Sequence, residues 1–511
     1  MTRRTAALLC AVVVAGLLLH QLVVYARIAS AAVQYPYGLD YGEGIVWQQA
    51  ILLNSSLAYG DINAYPAIVF HYTPVYHAVA RVLAGLFDAD LLATGRALTI
   101  GSTMLLAAMV AVATDCLRGE EDTVLSRVVA AATSALLLLC IGPIVFWSVL
   151  MRVDMLAHLF SFAGIVAGIY TFRHRGLLYV AATCFLFAVF TKQNSIAAPL
   201  AWFSVAMITQ RRLALRALGV CVGVGSAVVM WLSLATHGGF IRHVLTYNIN
   251  RINWTQGDKI LEVALPASPL ILATVLVLLQ AARSPAQARR ETRLWRKVIT
   301  DTASSNGTAR LVIVTYLFTT TVSLIGILKS GAGTYYTIEW LLLLCVFGGD
   351  GMRSLGRVLA CADTRPVSIA FSVQTLLVPI LIAKQVSLAA GFNIKDATSD
   401  ARAQQLGTLV AAIKASARPV VSDDMVLVLR SGKTVELEPA IFAELASVGR
   451  WDERRYVRRI LNRDFAMFIT EGDVGGALFE SRYDSAVRAA LARAYPAREH
   501  IAGLTLHRPA P

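Results

Sequence analysis

Apolar runs near the length of a bilayer crossing recur throughout residues 5–391 and leave little choice of architecture. They lie at about 5–25, 93–115, 128–147, 155–172, 177–191, 195–209, 214–236, 266–282, 310–329, 335–349 and 367–391. A helix rises about 1.5 Å per residue, so roughly 20 apolar residues cross the hydrocarbon layer. The runs predict about eleven transmembrane helices, although 177–191 and 335–349 are short for a full crossing. Composition agrees, with 57% hydrophobic and 15% charged residues in a chain of 511. An ordinary soluble protein carries about 25% charged residues.

The expected fold is therefore mainly α, a polytopic membrane domain over 1–392 followed by a small soluble domain over 393–511. The net charge of +14 does not point to nucleic acid, because Lys and Arg sit in short clusters between apolar runs, as in cytoplasmic loops. The seven cysteines lie in or beside apolar runs at no metal-ligand spacing and read as packing residues. Residues Thr2 to Tyr25 start with Arg3 and Arg4 and continue apolar for longer than the roughly 7–15 residues of a signal-peptide core. Despite the cleavage-like Ala29-Ser30-Ala31, this segment reads as a retained helix.

An inside N-terminus places Arg173, His174 and Arg175, then Arg211, Arg212 and Arg216, then the cluster from Arg283 to Lys297, then Arg353 and Arg357 on the cytoplasmic side. This requires that 73–87 not cross. There Val75, Val79, Val82, Leu83 and Leu86 form one apolar stripe, with His77 and Arg81 off it, the pattern of a helix lying in the interface. A second such helix is expected over Gly44–Asn54. The first external loop, 27–92, thus carries two juxtamembrane helices. In 116–127, Arg118 and Arg127 are offset by Glu120, Glu121 and Asp122, so this loop says least about orientation.

The remaining polar motifs then fall on the same outer side as that loop. Asp40 and Glu43 share a helix face if a helix begins there, and one carboxylate can take a proton while the other orients the acceptor or binds a divalent cation. Equally, Asp40 can be an N-cap and Glu43 its capping-box partner, and the two roles can coexist. Arg152 and Asp154 either pair with each other or hold a phosphate and a metal or sugar hydroxyl. Lys192 and Gln193 end an apolar run, as a snorkelling pair or a phosphate contact. His71 and Tyr72 precede Thr73-Pro74 and can donate to a ligand or simply be hydrogen-bonded. Tyr335, Tyr336 and Glu339 suit an interfacial anchor or a lipid-headgroup contact.

In order and side, Asp40-Tyr41-Gly42-Glu43-Gly44, Tyr72-Thr73-Pro74-Val75-Tyr76, Arg152-Val153-Asp154-Met155-Leu156-Ala157 and Thr191-Lys192-Gln193 resemble motifs of the GT-C superfamily. These are glycosyltransferases that use polyprenyl-phosphate sugars, such as aminoarabinose, lipopolysaccharide-core galacturonosyl and protein O-mannosyl transferases. The architecture matches over about 1–390, the residues only in these motifs. The chain departs where Gly42-Glu43 replaces an adjacent Asp-Glu, where Thr-Pro replaces a double proline, and where Val153 replaces a proline.

The resemblance implies single-displacement transfer, with inversion, from a polyprenyl-phosphate sugar to a glycan, lipid or protein hydroxyl at the outer face of a bacterial inner membrane. Asp40 or Glu43 would be the base, Asp40 slightly preferred, and Arg152 or Lys192 would hold the leaving phosphate. A divalent cation would find candidate ligands in Glu43 and Asp154; no nucleotide cofactor is expected. The competing readings are a lipid or sugar transporter, which predicts polar residues near the membrane middle, broken helices and repeated halves, and a non-enzymatic envelope assembly or sensor protein. No internal repeat is evident.

After Phe392 the sequence turns charged. Pro419-Val420-Val421-Ser422 and Phe465 to Thr470 read as strands, and 403–416, 439–447, 452–463 and 483–494 as helices, which makes a small α/β domain on the outer side.

Overall fold

A computed structural model describes residues 1–282, 305–361, 365–389, 394–472 and 474–510. The basic cluster from Arg283 to Lys297 (residues 283–297) and the expected domain boundary at 392/393 lie outside the described residues.

Each of the eleven apolar runs is helical. The helices that position the site are α1 (Arg3–Gln34), α2 (Tyr41–Leu52), α3 (Val75–Leu86), α4 (Leu91–Asp115), α5 (Val124–Leu137), α6 (Gly142–Ser148), α7 (Asp154–Thr171) and α8 (Leu177–Thr191). Among the described residues five helices are long and apolar enough to cross a membrane, and two bent pairs raise this to as many as seven. The chain is a multi-pass membrane protein. The expected single helix over 128–147 is instead broken after Cys140, and its two parts meet at 75°. Pro143 in the first turn of α6 explains the break, since proline starts a helix more readily than it continues one.

Contacts of Asp40 with Arg152, Asp154 with Lys192, Lys192 with Tyr335 and His71 with Glu438 gather the first loop, the start of α7, the end of α8, the segment before the helix Ile338–Gly351 and the C-terminal domain in one place. Elsewhere Asp115 pairs with Arg118 and Arg127, and Asp122 with Arg353 and Arg357. There the acidic residues of the 115–122 turn anchor its basic neighbours.

The two helices expected to lie in the interface behave differently. α3 exposes Val82 and Leu86 while His77 and Tyr76 turn inward, as an interfacial helix should. α2 does not lie on the surface: Gly42 to Gly44 and Val46 to Ala50 are buried. It is roofed by the C-terminal domain, and a side chain at Gly44 would meet Met425 Cβ at 2.7 Å.

The C-terminal domain carries a four-stranded sheet, ordered β1-β2-β4-β3, with β1 Val420–Ser422, β2 Met467–Glu471, β3 Ala497–Ile501 and β4 Leu504–Arg508. β1 and β2 are parallel, and the others antiparallel. The β3–β4 hairpin, unforeseen in the sequence, turns on Ala502 and Gly503, both at positive φ (54° and 79°), as a two-residue hairpin turn requires. Ile62, Ala67 and Val69 of the first loop pack into this domain's core with Phe442, Trp451 and Phe468. The first loop and the domain therefore share one core.

Candidate active site

Asp40 is the N-cap of α2: its carboxylate accepts from the Gly42 amide at 2.8 Å. Its other neighbour is the Arg152 guanidinium, with Nη1 at 3.3 Å. Gly42 makes this contact possible, because a Cβ there would stand 1.4 Å from Arg152 Nη1. The glycine that stands where the resembled motif has an adjacent Asp-Glu thus leaves the space that the arginine occupies.

Glu43 has a different task. It is fully buried and accepts from Arg96 Nε (2.8 Å), Arg96 Nη2 (2.7 Å), Leu39 N (2.8 Å) and Met151 N (2.8 Å). Two carboxylate oxygens offer about four lone-pair sites, so none is left for a substrate proton or a metal. Arg96 likewise spends its donors on Glu43 and on the carbonyls of Ala32, Tyr35 and Tyr37. This pair joins the end of α1 to α4. By gripping Met151 it also fixes the backbone next to Arg152. The capping box is off by one residue, since Glu43 reaches Leu39 N rather than Asp40 N.

Arg152 donates to Tyr72 Oη at 3.3 Å and lies over the rings of Trp147 and Tyr335. Burial works against its charge, but Tyr72, Asp40 and Asp154 hold it protonated. Lys192 Nζ meets Asp154 Oδ1 at 2.5 Å, and Arg152 Nε stands 3.7 Å from Asp154 Oδ2. Tyr335 and Tyr336 stack under the Lys192 ammonium, with ring centroids at 4.6 and 5.2 Å. Burial and then Lys192 push the pKa of Lys329, in the loop after the helix Ser305–Ser323, down to about 8. Cations facing aromatic rings form a receptor for an anion.

Asp40, Tyr72, Arg152, Asp154, Lys192, Tyr335 and Tyr336 are thus brought together, while four expected residues serve otherwise. Glu43 is structural, as above. His71 pairs with Glu438 of the C-terminal domain at 2.7 Å. Gln193 donates to the His71 carbonyl at 2.8 Å, holding the first loop in place. Glu339 turns into the bundle and accepts from Tyr316 Oη. The two candidate metal ligands do not fit a shared cation: Glu43 is filled by Arg96, and Asp154 faces Lys192 and Arg152. Among the described residues no group of three or more His, Cys, Asp or Glu converges as a metal site would.

Asp40 faces a roof from the C-terminal domain. Arg482 covers the Tyr41 ring at 4.1 Å and bridges Asp423 (3.1 Å) and Glu471 (2.8 Å). Burial raises the Asp40 pKa, and Arg152 opposes the rise. A partly buried carboxylate of raised basicity, beside paired cations, is equipped to take a proton next to a bound anion.

No family model matches the chain, and no curated protein matches it. Among solved structures, ArnT from Cupriavidus metallidurans bound to undecaprenyl phosphate superposes over 97% of this chain and 97% of its own, with a TM-score of 0.58 and 14% identity. The chain has the ArnT fold. The apo structure of ArnT agrees, covering 96% of this chain and 98% of its own at a TM-score of 0.51 and 13% identity. An oligosaccharyltransferase from Archaeoglobus fulgidus overlaps more loosely, at a TM-score of 0.48 with 11% identity, 88% of this chain and 69% of its own. Because the ArnT likeness runs nearly end to end, it includes the C-terminal domain, which no motif had matched.

Nothing in the sequence singles out Trp147, the last residue of the apolar run 128–147; it donates to Thr334 at 3.0 Å and backs Arg152. Arg96 was legible in principle, since a lone arginine inside an apolar helix demands a buried partner.

Proposed function

We propose that this protein is a glycosyltransferase moving a sugar from a polyprenyl-phosphate donor to a hydroxyl of a glycan, lipid or protein. The observation that carries this reading is Asp40 at 3.3 Å from Arg152, with Lys192 beside them over Tyr335 and Tyr336. ArnT, which shares the fold, was solved with undecaprenyl phosphate. In this scheme the acceptor oxygen forms a bond to the anomeric carbon and its proton passes to Asp40. The bond from that carbon to the phosphate oxygen breaks, and its electron pair leaves with the phosphate. Arg152 and Lys192 hold the resulting charge. One displacement inverts the anomeric centre.

The donor's isoprenoid tail stays in the bilayer while its phosphate sits at headgroup depth, which matches cations placed where α7 starts and α8 ends. The positive-inside pattern supports an outward-facing site and a cytoplasmic N-terminus, and the motif resemblance supports a bacterial inner membrane. The helix break at 138–142 is a feature that a transporter would share. It is lined mainly by buried Leu139, Cys140, Ile141 and Ile144, which carry no charge for a charged cargo. Purified protein incubated with labelled polyprenyl-phosphate sugars and envelope acceptors tests the reading. Transfer by the wild type that Asp40→Asn abolishes is expected; transfer at full rate by Asp40→Asn overturns the assignment of the base.

A further inference from the structure

His158 is used by nothing described so far. It is 5% exposed, and neither Nδ1 nor Nε2 has a hydrogen-bond partner. A buried imidazole with both nitrogens unpaired is costly, and an apolar side chain would fill the same space at no such cost. Its position is specific. On α7 it follows Asp154 by four residues, so the two share a face. Its ring lies within electrostatic reach of Lys192 and Asp154. Arg152 Nε and Asp154 Oδ2, which face each other at 3.7 Å, also make no hydrogen bond.

α7 runs inward from the site, so His158 is about one turn deeper in the bundle than Asp154. A lipid phosphate held by Arg152 and Lys192 would continue toward the bilayer core through its tail, past the face of α7 that carries His158. A third cation there would repel Lys192 in the empty site, whereas an imidazole can offer an N–H without a charge. We infer that His158 binds the phosphate of a polyprenyl phosphate, donating to an oxygen on its membrane side while Arg152 and Lys192 hold the others. The inference rests on the glycosyltransferase reading above.

The test is binding of undecaprenyl phosphate to the purified full chain, with undecaprenol as the uncharged control. His158→Phe keeps a planar ring and loses the donor; His158→Asn keeps an N–H. His158→Phe is expected to weaken undecaprenyl phosphate roughly tenfold, as loss of a hydrogen bond to a charged group does. Undecaprenol binding should not change, and His158→Asn should recover most of the loss. Unaltered phosphate affinity in His158→Phe, or equal losses for phosphate and alcohol, overturns the inference. A wild type that does not prefer the phosphate over the alcohol overturns the glycosyltransferase reading instead.

Discussion

Glu43 and Arg96 form a two-pronged ion pair, 2.8 and 2.7 Å, with both side chains wholly removed from solvent. Removing one partner of such a pair strands the other as a buried charge, which costs about 3–5 kcal/mol. Arg96→Met and Glu43→Leu should each lower the thermal unfolding midpoint strongly. The double variant should lose less than the two added together, because neither charge is then orphaned. Additive losses would show that the pair is not a unit.

Gly42 predicts a separation of activity from stability. In Gly42→Ala the new methyl claims the place of Arg152 Nη1, but that group is the end of a flexible side chain and can swing away. Transfer should fall by about two orders of magnitude, the scale of losing one electrostatic stabiliser, with the unfolding midpoint nearly kept. A variant of wild-type rate would mean that the Asp40–Arg152 contact is dispensable.

The rate should have an acid limb set by Asp40. Proton abstraction needs the carboxylate, and burial raises its pKa above the ordinary 3.8 against the pull of Arg152. Activity therefore falls as pH drops through a value higher than usual for aspartate. Arg152→Gln removes the opposing attraction and should move the limb to still higher pH, whatever it does to the maximal rate. Profiles of kcat/KM against pH decide this, and a limb that moves down would contradict the assignment.

Asp424 bears on stability. Burial and then Glu471 raise its pKa to about 7 from an ordinary 3.8. The folded chain thus binds this proton more tightly than the unfolded one, and the stabilisation is lost as pH rises from about 4 to about 7. Asp424→Asn should flatten that part of the curve of unfolding midpoint against pH. An unchanged slope would place the titration elsewhere.

Periodicity and length made the membrane helices legible, and alternating crossings made the gathering of Asp40, Arg152, Asp154, Lys192 and Tyr335 on one end foreseeable. The roles of Asp40 and Glu43 were not separable, because spacing along a helix reports a shared face and says nothing of the arginine waiting on another helix. The apolar face of α2 looked lipid-bound, since the sequence has no signal for which apolar surface, lipid or the Met425 region, will cover it. The strand Ala497–Ile501 escaped notice because its residues are mostly exposed and polar, so no buried alternation marks it.

The shared core of Ile62, Ala67 and Val69 with Phe442, Trp451 and Phe468 also limits how this protein can be recombined. Residues distant in sequence form one piece across that joint, fastened by Gln48 to the Val435 carbonyl, Ala67 N to the Glu436 carbonyl and Arg430 to Asp90. A chimera that exchanges the C-terminal region alone would pair two half-cores of different ancestry directly above Asp40. Modular exchange with a relative would have to carry the loop 27–92 and the residues from 394 onward together, as a single inherited cassette.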